Sequence, residues 1–334
     1  MGALANTKLG LIDFAKRLDP KGNTSVIVEL LMQSNEILGD ICWEEGNLPT
    51  GHQVTIRTGL PTIYWRSLNA GVQSSKSSTA QVTEGCGIME AYSELDKDVA
   101  MLNGNTREFR LSETVAFYEA MNQEFCQTLF YGNIGVAQKE FNGLAVRCSS
   151  LSAGNSQNII SASGSDASNQ ASIYLVGWAP NKVTGIFPKG SKAGLLHEDL
   201  GLQLIQNTGG VSGAKSMCYV DRFQWKAGIA VKDWRFVVRI CNIDVSNLTG
   251  ETSAADLSKL MKRAEHRIPS KQGVKLAFYM NRTVFEMLDL QRGEAVAAGG
   301  GITYKEVDGM QIPFFRGIPI RICDQLLETE SVVS

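Results

Sequence analysis

The chain has 334 residues, of which 43% are hydrophobic and 20% charged, so it is long enough to fold into two or three globular domains. Its 32 basic and 34 acidic residues give a formal net charge of -2, which argues against a dedicated nucleic-acid-binding protein with a basic face. The seven cysteines are dispersed without a Cys-x-x-Cys pair, as expected of reduced, mostly buried thiols in a cytosolic protein. The sequence contains no run of 18 uninterrupted apolar residues, so no membrane-spanning helix is predicted.

Residues 1–45 carry only short amphipathic stretches, around positions 27–31 and 37–41. An N-terminal extension of this kind has no core of its own and must lie on another part of the structure. We therefore expect an N-terminal arm.

The sequence becomes β-rich over residues 46–98. Alternating runs at 53–58 and 62–68 are separated by a Gly-Leu-Pro turn, and a returning strand is predicted at 79–83. Between them lies a polar, Ser-rich tip that carries Lys76. Two antiparallel arms with such a tip predict an extended hairpin, which has too little apolar surface on one face to be stable alone in water.

The large side chains of this hairpin allow two interpretations. The hairpin folds onto its own domain, or it is an arm that packs on a neighbouring subunit, where aromatic and Arg side chains are favoured anchors. The candidate subunit-contact residues are Arg57, Tyr64, Trp65, Arg66 and Lys76. For Lys76, a solvated charge in a turn is the alternative.

The longest predicted helix covers residues 111–131, roughly 30 Å at about 1.5 Å per residue. Ser112 is its expected N-cap, and Gly132 and Asn133 end it. An apolar stripe recurs along one face at steps of three and four residues. Its members are Leu111, Val115, Tyr118, Met121, Phe125 and Leu129.

The remaining elements predict an α+β fold without a βαβ register. A second helix precedes Pro269, with Thr252 or Ser253 as its cap and Leu257, Leu260, Met261 and Ala264 on its apolar face. A third helix covers 283–290, and residues 187–202 are predicted as a glycine-punctuated loop. The further predicted strands are 88–95, 172–178, 184–187, the pair 216–221 and 223–229, 234–243, 275–280, 303–307 and 314–324, where Pro319 indicates an edge or a bulge.

Motifs for catalysis are weak. Gly85-Cys86-Gly87 begins like a dinucleotide fingerprint, but position 90 is Glu and no helix start follows. The run 209–216 resembles a P-loop only in composition, and His197-Glu198 lacks the second His of a zinc-protease motif. No cofactor, metal site or catalytic residue is predicted. A triad assembled in space around a histidine stays open as an alternative.

The order of several segments identifies a family. They are RTGLPTIYWRSLNAGVQ (57–73), LSETVAFYEAMNQEFCQTLFYGN (111–133), FNGL (141–144), VGWAPNKVTGIFPKGSKAGLLHEDLG (176–201), LAFYMNRTVFEMLDLQ (276–291) and FFRGIPIRICDQL (314–326). Together they resemble the major capsid proteins of tailed bacteriophages with the Hong Kong 97-type coat fold, in the short-tailed subgroup. The resemblance covers nearly the whole chain.

The resemblance implies a division of the chain into consecutive segments. These are an N-terminal arm (1–45), an extended β-hairpin loop (46–98), a peripheral domain (99–171) with a spine helix at 111–131, an axial domain (172–300) and returning C-terminal strands (301–334).

The resemblance also implies a function and partners. The chain would be a structural capsid protein of the virion, assembled in the host cytoplasm into pentamers and hexamers of an icosahedral shell around double-stranded DNA. A separate scaffolding protein, a portal protein and a decoration or cementing protein are the implied partners. The DNA would be contacted non-specifically, and no membrane or cofactor is involved.

Two other functions remain as alternatives. A cellular nanocompartment of the encapsulin type has the same fold and holds a cargo protein instead of DNA. A soluble α+β hydrolase would use His197 with distant partners.

Overall fold

The computed structural model describes residues 33–102, 106–206, 215–250, 254–293, 303–307 and 310–334. The helices in these ranges are α1 (Ile37–Asp40), α2 (Lys97–Met101), α3 (Thr106–Tyr131), α4 (Leu144–Arg147), α5 (Val245–Thr249), α6 (Leu257–Arg267) and α7 (Arg282–Gly293), with 3-10 turns at Ser156–Asn158 and Trp234–Phe236. None of the described helices combines the length and the apolarity that crossing a membrane requires.

The described strands are β1 (Trp43–Glu45), β2 (Gly51–Gly59), β3 (Ser78–Gly85), β4 (Gly87–Asp96), β5 (Ile159–Ser161), β6 (Gln170–Trp178), β7 (Val183–Phe187), β8 (Leu195–Gln206), β9 (Lys215–Val231), β10 (Val237–Asp244), β11 (Lys275–Met280), β12 (Thr303–Val307), β13 (Met310–Phe315) and β14 (Ile318–Ile322).

The chain forms two compact units, each built from separate stretches of sequence. The first unit comprises the described residues of Met1–Asn35, Ile88–Cys126 and Gly194–Lys226. The second unit comprises Glu36–Gly87, Gln127–Ala193 and Ala227–Ser334 without the undescribed positions. The division into five consecutive segments that the resemblance implies stays a prediction.

Strand β6 is the centre of the second unit. All nine of its residues are buried, and it pairs antiparallel with β10 on one side and β11 on the other. Its apolar run is continuous because both faces of the strand are covered. The ladder continues from β11 through β14, β13 and β12, and from β10 to β5. These strands confirm the predictions at 172–178, 275–280 and 303–307.

Helix α6 confirms its predicted apolar face, because Leu257, Leu260, Met261 and Ala264 are all buried. Its N-cap is Asp256, whose carboxylate accepts a hydrogen bond from the backbone N–H of Lys259 at 2.9 Å. The predicted caps Thr252 and Ser253 lie outside the described residues. Helix α7 contains the predicted helix 283–290.

In the first unit, the structure corrects two predictions that concern β8 and β9. Residues from 195 onward form strand β8 instead of a loop, because they pair antiparallel with β9 from Leu195 opposite Trp225 onward. Gly201, with φ of 71°, accommodates the irregular register between Asp199 and Gly201. The predicted pair 216–221 and 223–229 is one strand, since Arg222 between them continues the ladder opposite Glu198.

The predicted strand 314–324 is also divided in the structure. Arg316 and Gly317 have positive φ angles of 50° and 84° and turn the chain between β13 and β14. Pro319 lies opposite Phe314 of β13, whereas pairing with β11 begins only at Ile320. The strand has neighbours on both sides, but Pro319 itself needs no ladder bond toward β11, so its missing N–H is tolerated.

Helix α3 begins at Thr106, five residues before the predicted start, and ends at Tyr131 as predicted. The extra turn forms because Phe109 is buried in a small cluster with Leu95 and Ala100 of the first unit. Ser112 therefore lies inside the helix, where its hydroxyl donates to the Phe109 carbonyl at 2.7 Å, and it is not the N-cap.

The apolar stripe of α3 is buried only in its second half. Met121, Phe125 and Leu129 are buried as predicted, whereas Leu111, Val115 and Tyr118 are exposed. The mean pattern of three- and four-residue steps is the same in both halves, so spacing alone could not separate them.

The cysteines are mostly buried, as predicted. None of the seven forms a disulfide bond, and five of them are buried. Burial raises the pKa of Cys126 to about 12 and that of Cys148 to about 11, so both are neutral at pH 7.

A buried ion pair joins distant parts of the second unit. Arg239 Nη2 lies 2.8 Å from Glu330 Oε2, and both side chains are almost fully buried. Arg239 also donates to the Cys148 carbonyl at 2.9 Å, and the Tyr131 hydroxyl donates to Glu330 Oε1 at 2.5 Å. Burial, and then the Glu330 carboxylate, raise the pKa of Tyr131, so Tyr131 remains a neutral donor.

Replacing Glu330 with Ala should lower the free energy of unfolding by about 3–5 kcal/mol, because Arg239 keeps a buried charge without its counter-ion. Urea unfolding of the two proteins measures the difference. Glu328→Ala is the matched control, since Glu328 is only half-buried and accepts from the Asn281 side chain. Equal losses in both variants would contradict the importance of the buried pair.

Candidate subunit-contact surface

Strands β2 and β3 form a two-stranded antiparallel sheet of their own, which we call the hairpin (residues 51–85). Gly51 lies opposite Gly85, and Val54 lies opposite Val82. These strands confirm the predictions at 53–58 and 79–83. The first six residues of β3 are all exposed. An isolated two-stranded sheet with little covered surface is marginally stable in water, so this hairpin depends on further contacts.

The connection between the two strands, residues 60–77, is the hairpin loop, and the predicted strand at 62–68 is wrong. No strand of the described chain pairs with these residues. Pro61 has no N–H to donate at the point where β2 ends. The Ser75 hydroxyl instead donates to the Thr62 carbonyl at 2.7 Å and holds the two limbs of the loop together.

The hairpin loop presents its large apolar side chains to solvent. Trp65 is 104% exposed, Leu68 95%, Ile63 84% and Leu60 81%. Soluble monomers rarely expose contiguous apolar surface of this kind, which instead marks a site of association.

All five predicted contact residues are exposed on the hairpin. Tyr64, Trp65 and Arg66 are consecutive in the loop, whereas Arg57 is on β2 and Lys76 lies just before β3. Residues 46–83 contain these three basic side chains and no acidic one. Residues 46–83 therefore combine an apolar loop with a formal charge of +3, which contrasts with the near-neutral chain as a whole.

A second exposed apolar surface, the first half of the predicted apolar stripe of α3, lies on the first unit. Leu111, Val115 and Tyr118 of α3 share one face because they are three or four residues apart. Exposed Glu108 lies on the same face, one turn before Leu111. Residues 88–126 hold eight acidic and three basic side chains, a formal charge of -5. This charge asymmetry was present in the sequence and is the signal that would have indicated the surface.

His197, the residue of the hydrolase alternative, lines a cleft of about 560 Å³ in the first unit. Its Nε2 lies 3.0 Å from Oδ1 of Asp221, which also receives the Arg110 guanidinium at 2.8 Å. The Arg110 hydrogen bond also lowers the pKa of Asp199. Among the described residues that line this cleft there is no Ser or Cys. The hydroxyls that line the cleft are those of Thr106 and Thr114, which donate to the carbonyls of Ala100 and Arg110 at 3.2 and 3.0 Å. The Arg110 guanidinium forms ion pairs with Asp199 and Asp221 there.

Metal binding has no support in the described ranges. They contain no group of three or more His, Cys, Asp or Glu side chains placed to hold an ion.

Comparison with known families gives a match over most of the chain. The family model described as major capsid protein GP7 matches residues 19–334. The chain belongs to the major capsid protein GP7 family. No curated protein matches it.

One solved structure that covers the whole chain agrees with membership of the GP7 family. A chain from a near-atomic cryo-EM structure of bacteriophage epsilon15 is 30% identical, with a TM-score of 0.80 over 100% of this chain and 99% of that chain. The capsid of bacteriophage JBD30 has 8% identity and a TM-score of 0.47, covering 90% of this chain and 93% of that chain.

A weaker neighbour is the holo-SrpI encapsulin complex from Synechococcus elongatus PCC 7942, with 11% identity and a TM-score of 0.43 over 71% of this chain and 97% of that chain. TM-scores below 0.5 carry no argument about function, so the family match decides between capsid and encapsulin.

The predicted fold class and structural role are confirmed. This major capsid protein has the α+β Hong Kong 97-type coat fold, is a component of the virion, and assembles with copies of itself into a shell. The exposed hairpin is therefore a candidate contact between copies.

Trp65→Ala should leave the stability of the isolated subunit within about 0.5 kcal/mol of the original, since an exposed side chain loses no packing. Trp178→Ala is the control at a buried position and should cost about 3–5 kcal/mol. Thermal unfolding of subunits kept below the assembly concentration measures both. A large loss for Trp65→Ala would show that Trp65 packs within its own chain.

Proposed function

We propose that copies of this chain, grouped in pentamers and hexamers, close an icosahedral shell around double-stranded DNA, and that its role is structural rather than catalytic. Assembly takes place in the host cytoplasm, with a separate scaffolding protein and a portal protein. A decoration or cementing protein is a further proposed partner on the shell. Family membership supports the shell itself, and these finer points extend it.

The exposed hairpin loop is the observation that carries this proposal. Its large apolar side chains are solvated in the single subunit. Burying one Val, Leu, Ile, Phe or Met side chain contributes about 1.5–3 kcal/mol, so a loop with several such groups has a strong driving force to associate. In a closed shell each subunit places its hairpin on one neighbour and receives the hairpin of another. The apolar loop of every copy is then covered.

We propose that the hairpin of one copy lies on a second copy with Trp65, Tyr64 and Leu68 as apolar anchors. Arg57, Arg66 and Lys76 then lie at the rim of the contact. Large aromatic and Arg side chains dominate the energy of protein interfaces, which supports this choice. Within the family segments, 46–98 then acts as the extended loop, and 111–131 as the spine helix of the peripheral domain.

Charge complementarity favours the exposed face of α3 as the receiving surface. That face carries Leu111, Val115 and Tyr118 in a segment with a formal charge of -5, and residues 46–83 carry +3. Opposite potentials steer the encounter of two copies and fix their orientation. The intermolecular contact would cover the apolar surface on both sides.

The near-neutral chain also fits a container for DNA. A formal net charge of -2 gives the chain no excess of basic over acidic side chains to neutralise phosphates, so the DNA would be contacted non-specifically and weakly. Such a surface allows DNA to move during packaging.

Leu68→Ser should lower the yield of closed shells by about tenfold or more, because the loss of a buried Leu of about 1.5–3 kcal/mol exceeds the 1.4 kcal/mol that equals a factor of ten. Electron microscopy of the chain co-expressed with its scaffolding protein counts the shells. Val136→Ser, at a position 85% exposed outside the hairpin, is the matched control and should assemble normally. Normal shells from Leu68→Ser would exclude the loop as a contact.

A further inference from the structure

The buried contact at the base of strand β3, where the hairpin joins the rest of the second unit, is made by a polar side chain and not by apolar ones. Every residue of β3 from Ser78 to Thr83 is exposed, and Glu84 is the first buried side chain as the strand enters the unit. Few apolar contacts therefore fix the direction in which the hairpin leaves the subunit.

Glu84 is held by both terminal nitrogens of Arg147. Arg147 Nη1 donates to Glu84 Oε1 at 2.5 Å, and Nη2 donates to Oε2 at 2.7 Å. This fork-to-fork pair is geometrically specific, because a planar guanidinium matches a carboxylate in only one relative orientation. The Glu84 side chain is 8% exposed, so water competes little for the contact.

Arg147 is itself fixed by backbone groups of the second unit. Its Nη2 also donates to the Asn142 carbonyl at 3.1 Å, and its own carbonyl accepts from Asn155 Nδ2 at 2.7 Å. Gly143, just before α4, has no room for a Cβ, which would lie 2.7 Å from the Phe130 carbonyl oxygen. These contacts therefore hold the guanidinium in a defined position beside Glu84.

The backbone beside Glu84 crosses β9 without spare space. A Cβ on Gly228 would lie 2.6 Å from the Gly85 carbonyl oxygen, and the Cys86 N–H donates to the Thr50 carbonyl at 3.0 Å. The Gly85-Cys86-Gly87 sequence is thus a tight crossing at the base of the hairpin. It brings the chain close enough to the unit for Glu84 to reach Arg147.

The nearest opposing side chain in register does not replace Arg147 as the cation. His52 lies opposite Glu84 on β2. Burial, and then the charge of Lys232, lower the pKa of His52, so it is neutral at pH 7.

We propose that Glu84 and Arg147 are positioning residues that form a clamp, and that this clamp sets the direction of the hairpin and so aligns it with the receiving copy during shell closure. The inference rests on the proposed role of the hairpin as a contact between copies. The clamp acts inside one subunit, so it can be tested separately from that contact.

The test uses two variants of the full chain and one control. Glu84→Gln keeps the shape but removes the negative charge, whereas Arg147→Lys keeps the positive charge and removes the fork. Arg282→Lys is the matched control, because Arg282 also binds a carboxylate, that of Asp324, but is 68% exposed. A fluorophore pair, attached through non-natural residues at Ser74 and Val136, reports the direction of the hairpin in the isolated subunit.

We expect both clamp variants to widen the distribution of distances between the two fluorophores and to lower the yield of closed shells about tenfold. In Arg147→Lys the unfolding midpoint should stay within about 2 °C of the original. An unchanged distance distribution in both variants would overturn the clamp. A midpoint that falls in proportion to shell yield, with unchanged distances below the transition, would also overturn it and assign the pair a structural role alone.

The same measurements separate the clamp from the proposed function. If Leu68→Ser assembles normally, the proposed contact fails, although the distances in the isolated subunit still report on the clamp. If the clamp variants behave like Arg282→Lys while Leu68→Ser abolishes shells, the contact stands and the clamp fails.

Discussion

The proposed assembly of the shell depends on the hairpin loop, whose apolar side chains are not covered by the rest of the chain. A two-stranded hairpin has one turn, two edges and no third strand on which to bury Trp65, Ile63 or Leu68. The central strand of the second unit is covered by its own chain, since β6 is buried over its full length. The proposed contact therefore assigns the stability of the subunit and the assembly of the shell to different parts of the sequence. A mutation in the loop is then expected to affect assembly without affecting folding.

Buried ion pairs fix the connections around the core of the second unit. Asp40, almost fully buried, receives the Tyr279 hydroxyl at 3.0 Å and the Arg321 guanidinium at 3.2 Å, and so attaches α1 to the sheet. Arg239 and Glu330 join β10 to the C-terminal residues. Buried pairs contribute little net free energy compared with apolar packing, but they penalise every arrangement that separates them. They are suited to holding elements in one orientation, which a closed shell requires of every subunit.

The sequence predicted those elements whose pattern is set by burial within the chain. The continuous apolar run of β6 and the apolar face of α6 follow from the core that they contact. Strand β8 was missed because its glycines and charged residues resemble a loop, and only pairing with β9 makes them a strand. Pairing between distant segments does not appear in a local pattern.

The candidate site shows the same limit. The candidate contact residues of the hairpin were predicted from their types. They are exposed, and their role in a contact between copies stays a prediction. The strand at 62–68 was wrong because alternation indicates a two-faced environment, which a neighbouring copy can provide as well as a sheet. The exposure of Leu111, Val115 and Tyr118 has a related cause, since the spacing of an apolar stripe does not reveal what covers it.

The most direct test of this account is a cryo-EM reconstruction of shells assembled from the chain, at a resolution that shows side chains. The account predicts that Trp65 is buried against a second copy, with Arg57, Arg66 and Lys76 at the rim of that contact. A closed shell in which the hairpin loop points into solvent, with Trp65 uncovered, would contradict it.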